Sequence, residues 1–250
     1  FFKFFLLNCK YTFNYTQTVK NKKNDFRISL SAESSGALLT GLNMIVNKEE
    51  KWDLFNNYQY TTYEKVDITL RYSHSFNPKN LFLTRFNLGV AVPFTRGGVI
   101  PFEKSFFVGG SNSMRGWTFR SLGPGGYYAE NYFECSGDIK IELNLEYQGT
   151  LYKALKYAIF TDVGNIWLSS QYEGMPNAEF RFNRFYKELG FCVGAGLRID
   201  LGFFIVRLDY GVPIYDPSIP EGNRWIQKSW LDNKWWKWSQ GLQFGIGHAF

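Results

Sequence analysis

The segment DIKIELNLEY, residues 138–147, decides the fold. Asp138, Lys140, Glu142, Asn144 and Glu146 alternate without a break with Ile139, Ile141, Leu143, Leu145 and Tyr147. Successive side chains of a β-strand point to opposite faces, so this segment as a strand has one wholly polar face and one wholly apolar face. In a soluble sandwich the apolar face would meet a second sheet. In a membrane barrel it meets lipid, and the polar face lines the interior.

The same alternation recurs on both sides of this segment. Phe82, Thr84, Phe86, Leu88, Val90 and Val92 oppose Arg85, Asn87, Gly89 and Ala91, while Val66, Ile68, Leu70 and Tyr72 oppose Lys65, Asp67, Thr69 and Arg71. Downstream, Leu189, Phe191, Val193, Ala195 and Leu197 oppose Gly190, Cys192, Gly194, Gly196 and Arg198. Phe204, Val206, Leu208 and Tyr210 then oppose Ile205, Arg207 and Asp209. Arginines and carboxylates on one face would be costly in a dry core, so the pattern predicts a hydrated lumen behind a lipid-facing wall.

Nine strands are expected, at about 9–17, 25–35, 63–75, 80–92, 138–149, 154–165, 189–200, 202–211 and 238–250. Most approach the roughly 9 to 11 residues that a tilted strand needs to cross a bilayer. Their connections alternate in length: short near Asn21, Asn77, Thr150 and Leu201, long over 36–62, 93–137, 166–188 and 212–237. Short turns at one end and long loops at the other are the organisation of an outer-membrane barrel. Nine is odd where bacterial single-chain barrels have even numbers, so further strands are expected upstream of Phe1.

Composition agrees. Of 250 residues, 20% are aromatic, including 25 Phe, 16 Tyr and 8 Trp, which suits interfacial girdles. No apolar stretch is long enough for a spanning helix, and Phe1–Leu7, broken by Lys3, has neither an initiating Met nor a small-residue cleavage site. The net charge of +6 suits phosphate of nucleic acid or of lipid headgroups, but no basic run is dense enough to favour nucleic acid. Cys9, Cys135 and Cys192 are odd in number and lack CxxC or His-paired spacing, so neither a disulfide framework nor a metal site is indicated. His74 and His248 lie far apart on outward-facing positions, and no nucleophile elbow, metal cluster or phosphate-cradling loop is present. An enzyme is not expected.

The longest loop contains FFVGGSNSMRGW, residues 106–117, and LGPGG, residues 122–126. Gly109, Gly110, Met114, Arg115, Gly116 and Trp117 resemble the glycine-arginine-glycine-aromatic signature of the sixth extracellular loop in the BamA superfamily, a bacterial surface antigen type of barrel domain. Met114 stands where relatives usually carry Val or Ile, and Trp117 where they carry Phe or Tyr. Five strands follow the motif, as in that family's sixteen-stranded barrel. The resemblance implies an all-β fold, a transmembrane antiparallel up-and-down β-barrel of which this chain is the C-terminal part. It also implies that the loop folds into the lumen and that Arg115 contacts acidic groups on the next strands, here Glu146 and Asp162.

The terminal segment SQGLQFGIGHAF resembles the β-signal of bacterial outer-membrane proteins through Ser239, Gly241, Phe244, Ile246 and Phe250. Glycines at 241, 245 and 247 are expected to weaken this strand, consistent with the loose lateral seam of the BamA family. The last loop places Trp225, Trp230, Trp235, Trp236 and Trp238 among Arg224, Lys228, Lys234 and Lys237, a pattern that suits an interfacial belt better than stacking of single-stranded nucleic acid.

The function that the resemblance implies is assembly: inserting and folding β-barrel proteins in the outer membrane through a lateral seam. The partners it implies are unfolded outer-membrane protein clients, outer-membrane lipid and lipopolysaccharide, accessory lipoproteins and periplasmic domains, with no cofactor and no nucleic acid. A sister translocation or secretion transporter, of the TamA or two-partner type, shares the motifs. A passive porin-like channel is the alternative from another class, and the Arg115 motif speaks against it.

Overall fold

A computed structural model describes residues 4–5, 8–18, 23–36, 59–60, 62–94, 100–131, 133–225 and 241–247. Among them, nine strands form one antiparallel sheet in chain order: β1 (Asn8–Thr18), β2 (Asn24–Ser35), β3 (Tyr63–Asn77), β4 (Asn80–Pro93), β5 (Ile139–Tyr152), β6 (Leu155–Trp167), β7 (Gly190–Asp200), β8 (Ile205–Tyr215) and β9 (Leu242–Ile246). Each strand pairs only with its sequence neighbours, an up-and-down meander that is left open, with β1 and β9 as its edges. Phe4–Phe5 and Gln59–Tyr60 add a separate two-residue parallel pair. No helix among the described residues is long and apolar enough to cross a membrane.

The meander puts the turns at 78–79, 153–154 and 201–204 at one end and the long loops at the other. The turn expected near Asn21 lies outside the described residues. Inward and outward sets follow from register. Leu143 faces Val163, Asn144 faces Asp162 and Leu145 faces Thr161 across the β5–β6 pair, so polar residues adjoin polar ones through the sheet.

Most boundaries fall within three residues of expectation, and the two ends of β8 differ for physical reasons. β8 begins at Ile205, not 202, because Gly202 adopts φ +86° and Leu201 N–H donates to the Phe204 carbonyl, drawing these residues into the turn. It then continues to Tyr215 because its far end stays paired with β7 as far as Phe191. Within the expected last strand, 238–250, only 241–247 are described, and Leu242–Ile246 are paired.

The outward wall is apolar and exposed: Val66, Tyr72, Val90, Ile159, Leu197, Leu208 and Tyr210 all lie on it. An arginine there would have to leave water for hydrocarbon, whereas one on the inward face would not. We therefore expect Leu145→Arg, midway along β5, to destabilise the membrane-embedded fold by about 2–4 kcal/mol. Reversible denaturant unfolding in lipid vesicles measures this. A Leu145→Arg protein as stable as its parent would exclude lipid contact for this wall.

Candidate functional site: a loop clamped inside the sheet

The connection from β4 to β5 turns back over the inward face of the sheet. Its first leg is a 3-10 turn at Phe102–Lys104, held by Lys104 Nζ on Glu33 of β2 at 2.5 Å and by Lys65 Nζ of β3 on the Lys104 carbonyl. Tyr63 and Asn8 donate to the same Glu33 carboxylate, each at 2.7 Å. Phe106 exchanges both backbone hydrogen bonds with Gly137, and its ring fills the notch left by Gly89, where a Cβ would come within 2.5 Å of it.

Beyond this stem the chain reverses twice. Gly109 and Gly110 take φ values of +108° and +101°, open to glycine at little cost, and Gly110 N–H donates to the Trp117 carbonyl at 2.9 Å. Ser113 Oγ accepts from Gly109 N–H at 3.1 Å and donates to Glu142 on β5. The loop brings its own apolar core: Ile100, Phe106, Val108, Met114, Trp117 and Leu122 pack with Tyr63, Ala91, Ile166 and Cys192 of the strands.

This packing places Arg115 between two strands. Its Nε and Nη2 engage Asp162 of β6 in a fork, at 2.9 and 2.8 Å, and its backbone N–H donates to the same carboxylate at 3.1 Å. Nη1 pairs with Glu146 of β5. The guanidinium lies 3.5 Å from the ring centroid of Phe160, an inward aromatic made possible by the space over Gly194. Arg115 is 1% exposed, Glu146 1% and Asp162 0%. A forked arginine–carboxylate pair of this kind is both strong and directional.

The pair belongs to a larger lattice of inward charges. Arg198 of β7 joins Glu146 at 3.1 Å to Asp209 of β8 at 2.5 Å, and Gln148 donates to Glu146 at 2.7 Å. Arg207 pairs with Asp209 and donates to the Ser111 carbonyl and to Asn112 Oδ1. Arg85 of β4 donates to Asn144 and to the Asn112 carbonyl, while Asn144 reaches Asp162 and the Ser113 carbonyl. Arg85, Arg115, Arg198 and Arg207 thus balance Glu142, Glu146, Asp162 and Asp209, all of them buried. The charges are held by one another and covered by the loop, as burial of ionised groups requires.

The loop also meets the edge of the sheet. Gln243, the one non-glycine residue facing inward on the described part of β9, donates from Nε2 to the carbonyls of Arg115 and Trp117, at 3.1 and 2.6 Å. A Cβ at Gly211 would strike the Arg115 carbonyl, and one at Gly116 would come within 2.6 Å of Cys192 Cβ. Gly241 and Gly245, expected to weaken β9, have a different reason to be small. A Cβ at 241 would strike the Gly211 carbonyl, and the Arg207 guanidinium occupies the space over 245.

Of the residues singled out from sequence, Gly109, Gly110, Met114, Arg115, Gly116, Trp117, Glu146 and Asp162 come together in this site. Met114 is fully buried, and Trp117 Nε1 faces Asp216 at 3.4 Å. Gly241 lies beside them, whereas Phe244 and Ile246 point outward at 63% and 65% exposure. Ser239, Phe250, His248 and Trp230, Trp235, Trp236 and Trp238 lie outside the described residues. Trp225 stacks edge-on against Tyr215. His74 Nδ1 sits 2.5 Å from Asn24 Oδ1, an interstrand contact. Phe160, Arg198, Arg207, Asp209 and Gln243 were not singled out. Inward parity was their only signal, and it does not say which inward residues share a level.

At the loop end, Trp167 Nε1 donates to Glu188 at 2.7 Å, and burial pushes that carboxyl up against the opposing pull of this bond, Arg184 and Arg224. Among the described residues no three His, Cys, Asp or Glu side chains converge as metal ligands. The inward acids are engaged by guanidinium, ammonium, amide and hydroxyl donors.

No curated protein matches the chain. Among solved structures it is similar to BamA from Haemophilus ducreyi lacking POTRA domains 1-3, with 15% identity over 84% of this chain and 51% of that one, at a TM-score of 0.45. It is also similar to CdiB from Acinetobacter baumannii, with 12% identity over 86% of this chain and 40% of that one, at a TM-score of 0.37. The chain spans about half the length of the former and less of the latter. The profile of the Omp85 superfamily domain matches residues 7–250, covering the nine-stranded sheet and the clamped loop alike, and the chain belongs to that superfamily of outer-membrane β-barrel proteins.

Proposed function

We propose that this chain is the C-terminal part of the barrel of an outer-membrane assembly factor, an insertase and not an enzyme, that folds client β-barrels at a lateral seam beside β9. One observation carries the reading: the buried Arg115 clamp seats a loop that reaches the strand at the edge of the sheet. Within its described residues β9 pairs with β8 from Leu242 to Ile246. A strand whose other edge opens exposes backbone donors and acceptors, which a client's terminal strand can satisfy by β-augmentation. The free energy then comes from the client, since unpaired edges in hydrocarbon are so costly. The periplasmic domains and lipoproteins of such a machine would deliver the client.

A loop packed across the inward face also speaks against a passive channel. The test uses the full-length protein in cells, with a cysteine pair joining β9 to the barrel's first strand. Client insertion is expected to stop when the pair is oxidised and to return on reduction. Undiminished insertion through a locked seam would overturn the reading and leave a translocation or secretion role for the same fold.

A further inference from the structure

We propose that Gln243 is a positioning residue that transmits the seating of the Arg115 turn to the terminal strand β9. Only the functional consequence rests on the seam reading. The conformational coupling stands on geometry alone.

The Gln243 amide carries two hydrogens on Nε2, and both are used on the loop: one on the Arg115 carbonyl at 3.1 Å, one on the Trp117 carbonyl at 2.6 Å. These carbonyls flank Gly116, whose own position is fixed by Cys192 and Pro213 on one side and by Gly211 on the other. The two acceptors converge on one amide only while the Arg115–Trp117 turn holds this shape. That shape is set elsewhere, by the fork on Asp162 and by Arg115 N–H donating to the same carboxylate. Arg115 is therefore gripped at its N–H and side chain by β6 and at its carbonyl by β9. Once the turn is displaced, Gln243 loses both acceptors together. Over the described residues β9 is then held by its backbone ladder on β8, at positions where Gly241 and Gly245 offer no side chains.

Among the described residues, the opposite end of the loop has no such connection to β9. Lys104 and Lys65 tie it to β2 and β3. The two losses differ in extent: displacing the turn removes both acceptors of Gln243, while loss of the Gln243 contact leaves every donor and acceptor of the clamp's carboxylate fork in place.

The experiment is amide hydrogen exchange, read by mass spectrometry, on the full-length protein in lipid nanodiscs. Gln243→Met keeps length and approximate volume but has no donor. Exchange over 241–247 is expected to quicken about tenfold or more, the factor that losing two hydrogen bonds of ordinary net strength implies, with 139–167 unchanged. Arg115→Ala should quicken both regions, and adding Gln243→Met to it should change 241–247 no further. Gln243→Lys, which restores a donor, should recover part of the protection. Unchanged exchange over 241–247 in Gln243→Met, an equal rise across 139–167, or additivity with Arg115→Ala would each overturn the proposal. Failure of the seam reading looks different: insertion would survive the locked seam while the exchange pattern remained as described.

Discussion

Arg115→Ala is expected to release the loop from the barrel interior and to abolish client insertion while leaving the strand meander intact. Removing the guanidinium strands two carboxylates that the structure buries completely, and breaking a buried pair in this way costs about 3–5 kcal/mol. The two acids will not suffer equally. Glu146 keeps Arg198 at 3.1 Å and Gln148 at 2.7 Å, whereas Asp162 loses both teeth of its fork and keeps no charged partner, only the Asn144 amide, the Cys192 thiol and, while the turn stays seated, the backbone N–H of residue 115. Asp162→Asn should therefore be more harmful than Glu146→Gln. Arg115→Lys should recover part of the loss, because an ammonium supplies charge without the planar fork. Limited proteolysis across 106–126, followed in parallel with insertion of a client barrel, measures both effects. A loop that stays protease-resistant in Arg115→Ala would show that its apolar residues alone seat it.

That possibility is physically reasonable, because the loop's own core is the part of the site that the sequence disclosed least. Alternation from Asp138 to Tyr147 reports a face of a strand directly, and each register pair of β5 with β6 then follows. The loop has no period. Phe106, Val108, Met114 and Leu122 are spaced irregularly and become a packed cluster only because Gly109 and Gly110 reverse the chain between them. That cluster covers the inward arginines and acids at the level of Arg115, and those charges are paired with one another.

Arg115, Glu146 and Asp162 could be named together because the family resemblance implied all three, and strand parity put both acids on the inward face. Parity also placed Phe160, Arg198 and Asp209 inward. It could not place them at the level of Arg115, since that depends on the stagger between β5, β6, β7 and β8. Gln243 was hidden for another reason. It lies among glycines whose evident meaning was a weak strand, while their actual role is to let Gly211 and Arg207 come close.

Gly211→Val separates these two views of glycine, and the expected result runs against local propensity. Position 211 is mid-ladder on β8, opposite Gly194, with no left-handed backbone to accommodate. Valine favours strands, so on strand energetics alone the substitution should strengthen β8. Its Cβ, however, would collide with the carbonyl of Arg115 and come within 2.9 Å of Gly116 N, and both are backbone atoms that no rotamer change can move aside. Overpacking of this kind costs typically about 1–3 kcal/mol. Here the lowest-cost relief is displacement of the Arg115–Trp117 turn away from β8, which also takes the acceptors from Gln243. Gly211→Val should then reproduce the protease sensitivity and insertion defect of Arg115→Ala without altering any charge. Gly211→Ala should be milder in the same direction. Tyr210→Val, one residue away on the outward face, should leave the loop protected. If Gly211→Val retains a protected loop and normal insertion, the close approach of β8 to the Arg115 turn is not what seats it.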